Sequence, residues 1–292
     1  MAKRPRLLTT LRRTFAAFQE HNASRFGAAL AFYIVFTIAP TLLIAIAIAG
    51  SLFGRVWAER TILDRIGGSF GSAAGIAIAA MLKSAAPRRA GWLATTIGIT
   101  TLLFGLGGVY RQVDDALRTI WRKKPERDRG LMHMLRKRLA SMLLVAATGA
   151  VVLLSVLADA AIAVTGKFAA ERLAGGELAW HVAQLLVSTL VLTALFAGVF
   201  RYLAQVEVTA HDVGLSAAVT AVLFVIGKFA LGIYLGKAAV GSAFGAAGSV
   251  VVVLLWSYWS AQIFFFGLEL THVYATSDQN GTITVRPAVR YQ

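Results

Sequence analysis

Charged residues divide this chain into six long apolar blocks. The first runs from Phe26 to Gly54, between Arg25 and Arg55. The second spans Ala90–Tyr110 and the third Leu139–Ala158. The fourth, Leu178–Phe200, has His181 as its only titratable residue, and the fifth, Val213–Leu235, holds one charge, Lys228. The sixth extends from Ala238 to Leu268 and stops at Glu269. A helix needs about 20 apolar residues to cross a bilayer core, and no block shows the polar alternation of a membrane barrel strand. The pattern predicts an all-α membrane protein with six transmembrane helices. The first block is too long for the apolar part of a cleaved signal peptide, and basic residues fill the arm before it.

Between spans one and two, Ile66–Leu82 is uncharged but short, and Gly, Ala and Ser dominate it. It reads as an additional amphipathic or re-entrant helical segment rather than a seventh crossing. The expected organisation is a basic cytoplasmic arm with an amphipathic helix over 1–25, a six-span domain over 26–275, and a flexible cytoplasmic tail over 276–292.

Composition agrees with this class. Hydrophobic residues make up 58% of the chain and charged residues 15%, against about 25% charged in soluble domains. Lipid must therefore cover much of the surface. There is no cysteine, so disulfides and thiolate sites are excluded. The five histidines (His21, His133, His181, His211, His272) lack the spacing of a zinc site, and neither a metal nor a cofactor is expected.

A net charge of +15 would fit nucleic-acid binding, so the placement of the charges decides. Of the 29 Lys and Arg residues, nineteen fall on the side that holds both termini and ten on the other. That excess follows the positive-inside rule. It predicts a multi-pass protein of a bacterial inner (plasma) membrane, both termini cytoplasmic, and removes the reason to expect nucleic acid. In the arm, Leu7, Leu8, Leu11, Phe15 and Phe18 recur at helical spacing beside Arg12 and Arg13. Such a helix would lie on anionic lipids of the inner leaflet; a solvated basic lead-in is the alternative.

Ionisable groups inside spans are costly, about 2.5–3.5 kcal/mol at mid-helix, and mark functional candidates. Lys228 lies about 22 Å along span five, toward the outer half, with Asp159 at the outer end of span three as its expected partner. Lys228 reads as part of a substrate or ion pathway, as a buried structural pair, or as a snorkelling cation. Glu269 closes span six on the inner side, where Arg25, Arg111 and Arg201 complete an inner-face polar cluster. Its favoured reading is a structural pair. Asp114 and Asp115 are four residues from Arg118 and Arg111 respectively, the spacing of ion pairs along one helix.

Glycines add a mechanical signal. Gly232 and Gly236, then Gly241 and Gly245, are each four apart, with Lys237 among them. Close helix contacts explain this spacing, and so would a broken helix lining a path for an anionic head group. The same small faces would serve a homo-oligomer. Pro40 permits a kink in span one.

Four strings resemble the YihY/BrkB family, also called the virulence factor BrkB family and formerly labelled ribonuclease BN. They are SRFGAALAFYIVFTIAP (Ser24–Pro40), TTLLFGLGGVYRQVDDALRTIW (Thr100–Trp121), GKFALGIYLGKAAVGSAFGAAGSVVVVLLW (Gly227–Trp256) and YWSAQIFFFGLELTHVYA (Tyr258–Ala275). The resemblance implies a six-helix bacterial inner-membrane protein of transporter-like character, linked to envelope or lipid processes. Residues and resemblance together point to a transporter or lipid-handling protein for an anionic or amphipathic substrate, without chemical catalysis. A membrane scaffold or envelope-assembly factor is the rival. A membrane-bound ribonuclease rests on the old label alone, because the chain offers no ligand cluster to activate water.

Overall fold

The computed structural model describes residues 7–70, 72–85, 92–121, 176–204, 209–237 and 248–277. These form eight helices and no strand: α1 (Leu7–Glu20), α2 (Ala23–Phe53), α3 (Arg55–Phe70), α4 (Ser72–Ala85), α5 (Trp92–Ile120), α6 (Gly176–Ala204), α7 (Ala210–Lys237) and α8 (Gly248–Ser277).

Among the described residues, four segments are long and apolar enough to cross a membrane: Ala23–Phe53, Leu185–Leu203, Ala210–Leu235 and Gly248–Thr276. They match expected spans one, four, five and six. The second expected block lies in α5, a helix of 29 residues or about 43 Å, whose last turns carry Arg111, Asp114, Asp115 and Arg118. The third expected block, 139–158, lies outside the described residues.

Local chemistry sets several boundaries. Thr209 caps α7: its Oγ1 accepts from the Asp212 amide at 3.3 Å and donates to Asp212 Oδ2 at 2.5 Å. The first of these bonds satisfies a free N–H of the opening turn, as an N-cap side chain does. Asn22, at φ 53°, joins α1 to α2 in the left-handed region, which Asn tolerates better than most residues. Gly54 turns α2 into α3 at φ 91°, where a Cβ would be strained. Pro40 does not end α2, which continues to Phe53.

The Ile66–Leu82 segment forms parts of two helices. α3 and α4 have 16 and 14 residues, each fewer than the about 20 a crossing needs. They fold back on each other and on α2. Gly75 meets the Gly67 backbone so closely that a Cβ would sit 2.9 Å from Gly67 Cα, which explains two glycines at this spacing.

The chain divides into two compact units. One contains α1, α5 from Leu117, α6, α7 as far as Leu223, and α8 from Phe266. The other contains α2 to α4, α5 as far as Ala116, α7 from Phe224, and α8 as far as Phe265. In the second unit, α4 presents Ala74, Ala77, Ile78 and Leu82 at helical spacing to an apolar core. That core is completed by Ile46 of α2, Leu231 and Leu235 of α7, and Val252, Val253 and Trp256 of α8.

Candidate functional site

The first unit gathers the polar groups. Its centre is Glu269, a wholly buried carboxylate of α8 within the apolar segment Gly248–Thr276. His21, directly after α1, donates from Nδ1 to Glu269 Oε1 at 2.7 Å. The other oxygen, Oε2, is buried and has no hydrogen-bond partner among the described residues. Glu20 also acts electrostatically on the same carboxylate.

Helix periodicity builds the surroundings. His272 is three residues after Glu269, so the two share one face of α8. The His272 ring lies 6.3 Å from that of His21 and 4.9 Å, edge-on, from that of Trp121 at the end of α5. Trp121 Nε1 is buried without an acceptor among the described residues. One turn earlier on α8, Phe266 packs on Phe18 of α1 at 6.1 Å between ring centres. The arrangement offers an acceptor, an indole donor and two imidazoles within a few side chains of each other. Such a set can hold a proton or order a water. Among the described residues, no group of three His, Asp or Glu side chains could hold a metal ion.

Hydroxyls continue this polar interior between α7 and α8. The Thr271 and Ser216 hydroxyls lie 2.8 Å apart, a hydrogen bond in which either can donate, and each also reaches a carbonyl of its own helix, Gly267 at 2.9 Å and Val213 at 3.0 Å. Thr220 returns its hydroxyl to the Ser216 carbonyl at 2.7 Å. All three side chains are buried. A Cβ on Gly267 would strike Thr220 Oγ1 and the Phe200 ring, so this glycine lets α6, α7 and α8 approach each other.

The expected site residues fall in different places. Arg25, Arg111 and Arg201 are exposed, and Arg25 stands over the Phe26 ring at 5.8 Å. Among the described residues the hydrogen-bond partner of Glu269 is His21. The depth reading weighed only full charges. The available signal was that His21 immediately precedes the first span, as Glu269 nears the end of the last. His272 and Trp121 were likewise missed as site members, because nothing in one helix's periodicity names its neighbour.

In the second unit Lys228 is half-buried on α7, its Nζ 5.2 Å from the Phe229 ring centre. Gly232, one turn on, has open space where a Cβ would stand. The helix runs unbroken through Gly232 and Gly236 to Lys237. Asp159, Gly241 and Gly245 lie outside the described residues. Close glycine contacts occur elsewhere in this unit: Gly105 and Gly108 of α5 against Thr37 and Tyr33 of α2, and Gly227 against Trp259.

No curated protein and no solved structure matches the chain. A family description does match, over residues 14–289, which takes in all four resembling strings and both polar regions. With apolar helices of membrane-crossing length, the chain is an integral membrane protein, and it belongs to the virulence factor BrkB family.

Proposed function

We propose that this protein is a transport-type membrane protein whose ionisable working centre is Glu269 with His21. The observation that carries the reading is the wholly buried carboxylate in a span, bonded through one of its two oxygens among the described residues. A span that needed only packing would gain from an apolar side chain, because breaking even with a buried ionic group requires complete pairing. Incomplete satisfaction of a costly intramembrane group is what an ion or proton pathway requires.

The substrate class is an anionic or amphipathic molecule, a lipid among them. Lys228 supports it, as a cation inside an apolar span beside an open glycine face. The full arrangement has six spans in a bacterial inner membrane, both termini cytoplasmic, and no chemical catalysis. The loop-charge bias supports that orientation. A scaffold in the envelope is the second reading, favoured by the tight glycine contacts of α5 with α2 and within α7–α8.

The test is movement of labelled anionic lipid or organic anion in vesicles containing the purified protein, with and without an imposed pH gradient. Transport predicts flux that Glu269→Gln abolishes while the protein remains folded. Absence of flux in the native protein under every gradient would leave the scaffold reading.

A further inference from the structure

α1 has two working faces, and the site uses one of them. Thr10, Thr14, Phe18 and His21 follow each other at intervals of four, four and three residues, which places them on one face. Thr10 and Thr14 are fully buried, Phe18 packs on Phe266, and His21 bonds Glu269. A second strip points elsewhere. Leu8 and Phe15, seven residues apart and so nearly in line, are 81% and 55% exposed. Leu11 lies between them, and exposed Arg12 flanks them one turn after Leu8.

Two connections fix the depth of this strip. α1 ends at Glu20 and the membrane-crossing segment of α2 begins at Ala23, so the C-terminal end of α1 lies three residues from a span end. Its inner face also rests on Phe266 and Glu269, which precede the span end at Thr276 by ten and seven residues. A helix held at that level, with large apolar side chains turned away from the protein and arginine at their edge, meets the boundary between head groups and acyl chains.

We infer that the Leu8–Leu11–Phe15 strip with Arg12 is a docking surface for anionic lipid. Leu8 and Phe15 enter the acyl boundary, and Arg12 takes the head-group phosphate. This site lies on the opposite edge of α1 from His21 and does not depend on the transport reading.

The chain has no cysteine, so single-cysteine variants report unambiguously. Leu8→Cys, Phe15→Cys and, as a control, Arg13→Cys on the exposed side away from the strip would each carry an environment-sensitive fluorophore. The full-length protein is reconstituted in vesicles of phosphatidylethanolamine with phosphatidylglycerol, and separately of phosphatidylcholine alone. Labels at 8 and 15 are expected to emit at shorter wavelength, resist aqueous iodide and respond to a lipid-borne quencher, whereas the label at 13 behaves as in water. Adding Arg12→Gln should weaken the preference for anionic vesicles by about fivefold, the worth of one cation near an anionic surface. Labels at 8 and 15 as open to iodide as the label at 13 would overturn the proposal and turn the strip over to a protein partner. Equal shielding in both vesicle types, unchanged by Arg12→Gln, would overturn the anionic requirement.

Discussion

The two units solve the problem of a membrane interior differently. In the α2–α4 unit the core joins Ala, Ile, Leu and Val to Trp256, with glycines admitting aromatic and threonine side chains at close range. In the unit that holds α1 and α6 the interior includes Thr10, Thr14, Ser216, Thr220, Glu269 and Thr271. Because lipid tails are as apolar as Leu, burying Leu gives a membrane helix little reason to prefer protein over lipid. Close packing and paired polar groups supply that preference instead. Both units pack closely and each has a polar pair between helices, Gln262 with Ser24 in the first and Ser216 with Thr271 in the second, but among the described residues only the latter contains a wholly buried carboxylate.

Substitutions can break this contrast. The largest effects should come from each unit's own centre. Glu269→Ala leaves His21 without its acceptor and should cost about 3–5 kcal/mol in thermal unfolding of the purified protein, the usual penalty for breaking a buried pair. Glu269→Gln keeps an acceptor and should cost less than half of that. Equal losses would mean that the carboxylate's charge, not its bond, holds the unit. In the other unit Trp256→Ala removes the largest core side chain, which packs on Phe224 at 6.2 Å, and should cost about 3 kcal/mol.

Glycine substitutions sharpen the comparison at intermediate size. Gly267→Ala forces its methyl on the stiff Phe200 ring and Thr220 Oγ1, and a loss of about 1–3 kcal/mol is expected. Gly27→Ala meets only the end of the flexible Gln262 side chain. It should cost less, about 1 kcal/mol, chiefly from the lost bond of Gln262 to the Ser24 carbonyl at 3.1 Å. Thr271→Val removes the hydroxyl partner of Ser216 and should cost about 1 kcal/mol. The smallest effect belongs to Arg201→Gln. This exposed residue should change stability by about 0.5 kcal/mol or less, whereas a loss matching His21→Ala would restore an arginine as Glu269's partner.

Much of the fold follows from local pattern. The apolar blocks at α2, α6, α7 and α8 are continuous and long, so their length alone nominates them as spans. The Ile66–Leu82 segment was legible as short and helical. Its division into α3 and α4 was not, because that depends on Gly75 seating against Gly67, a contact between two helices. At the site, Glu269 stood out as a charge ending an apolar block, while its partner did not.

The sequence by itself determined that this protein resides in a membrane, since hydropathy and loop charge are sums over consecutive residues. It also marked Lys228 and Glu269 as costly groups within spans. Only the tertiary structure decided that Glu269 meets His21, 248 residues away, that His272 and Trp121 adjoin them, and that α1 keeps Leu8 and Phe15 outside. Helical periodicity tells which residues share a face, but the identity of the opposite face is set by packing between helices, where close approach depends on single side chains.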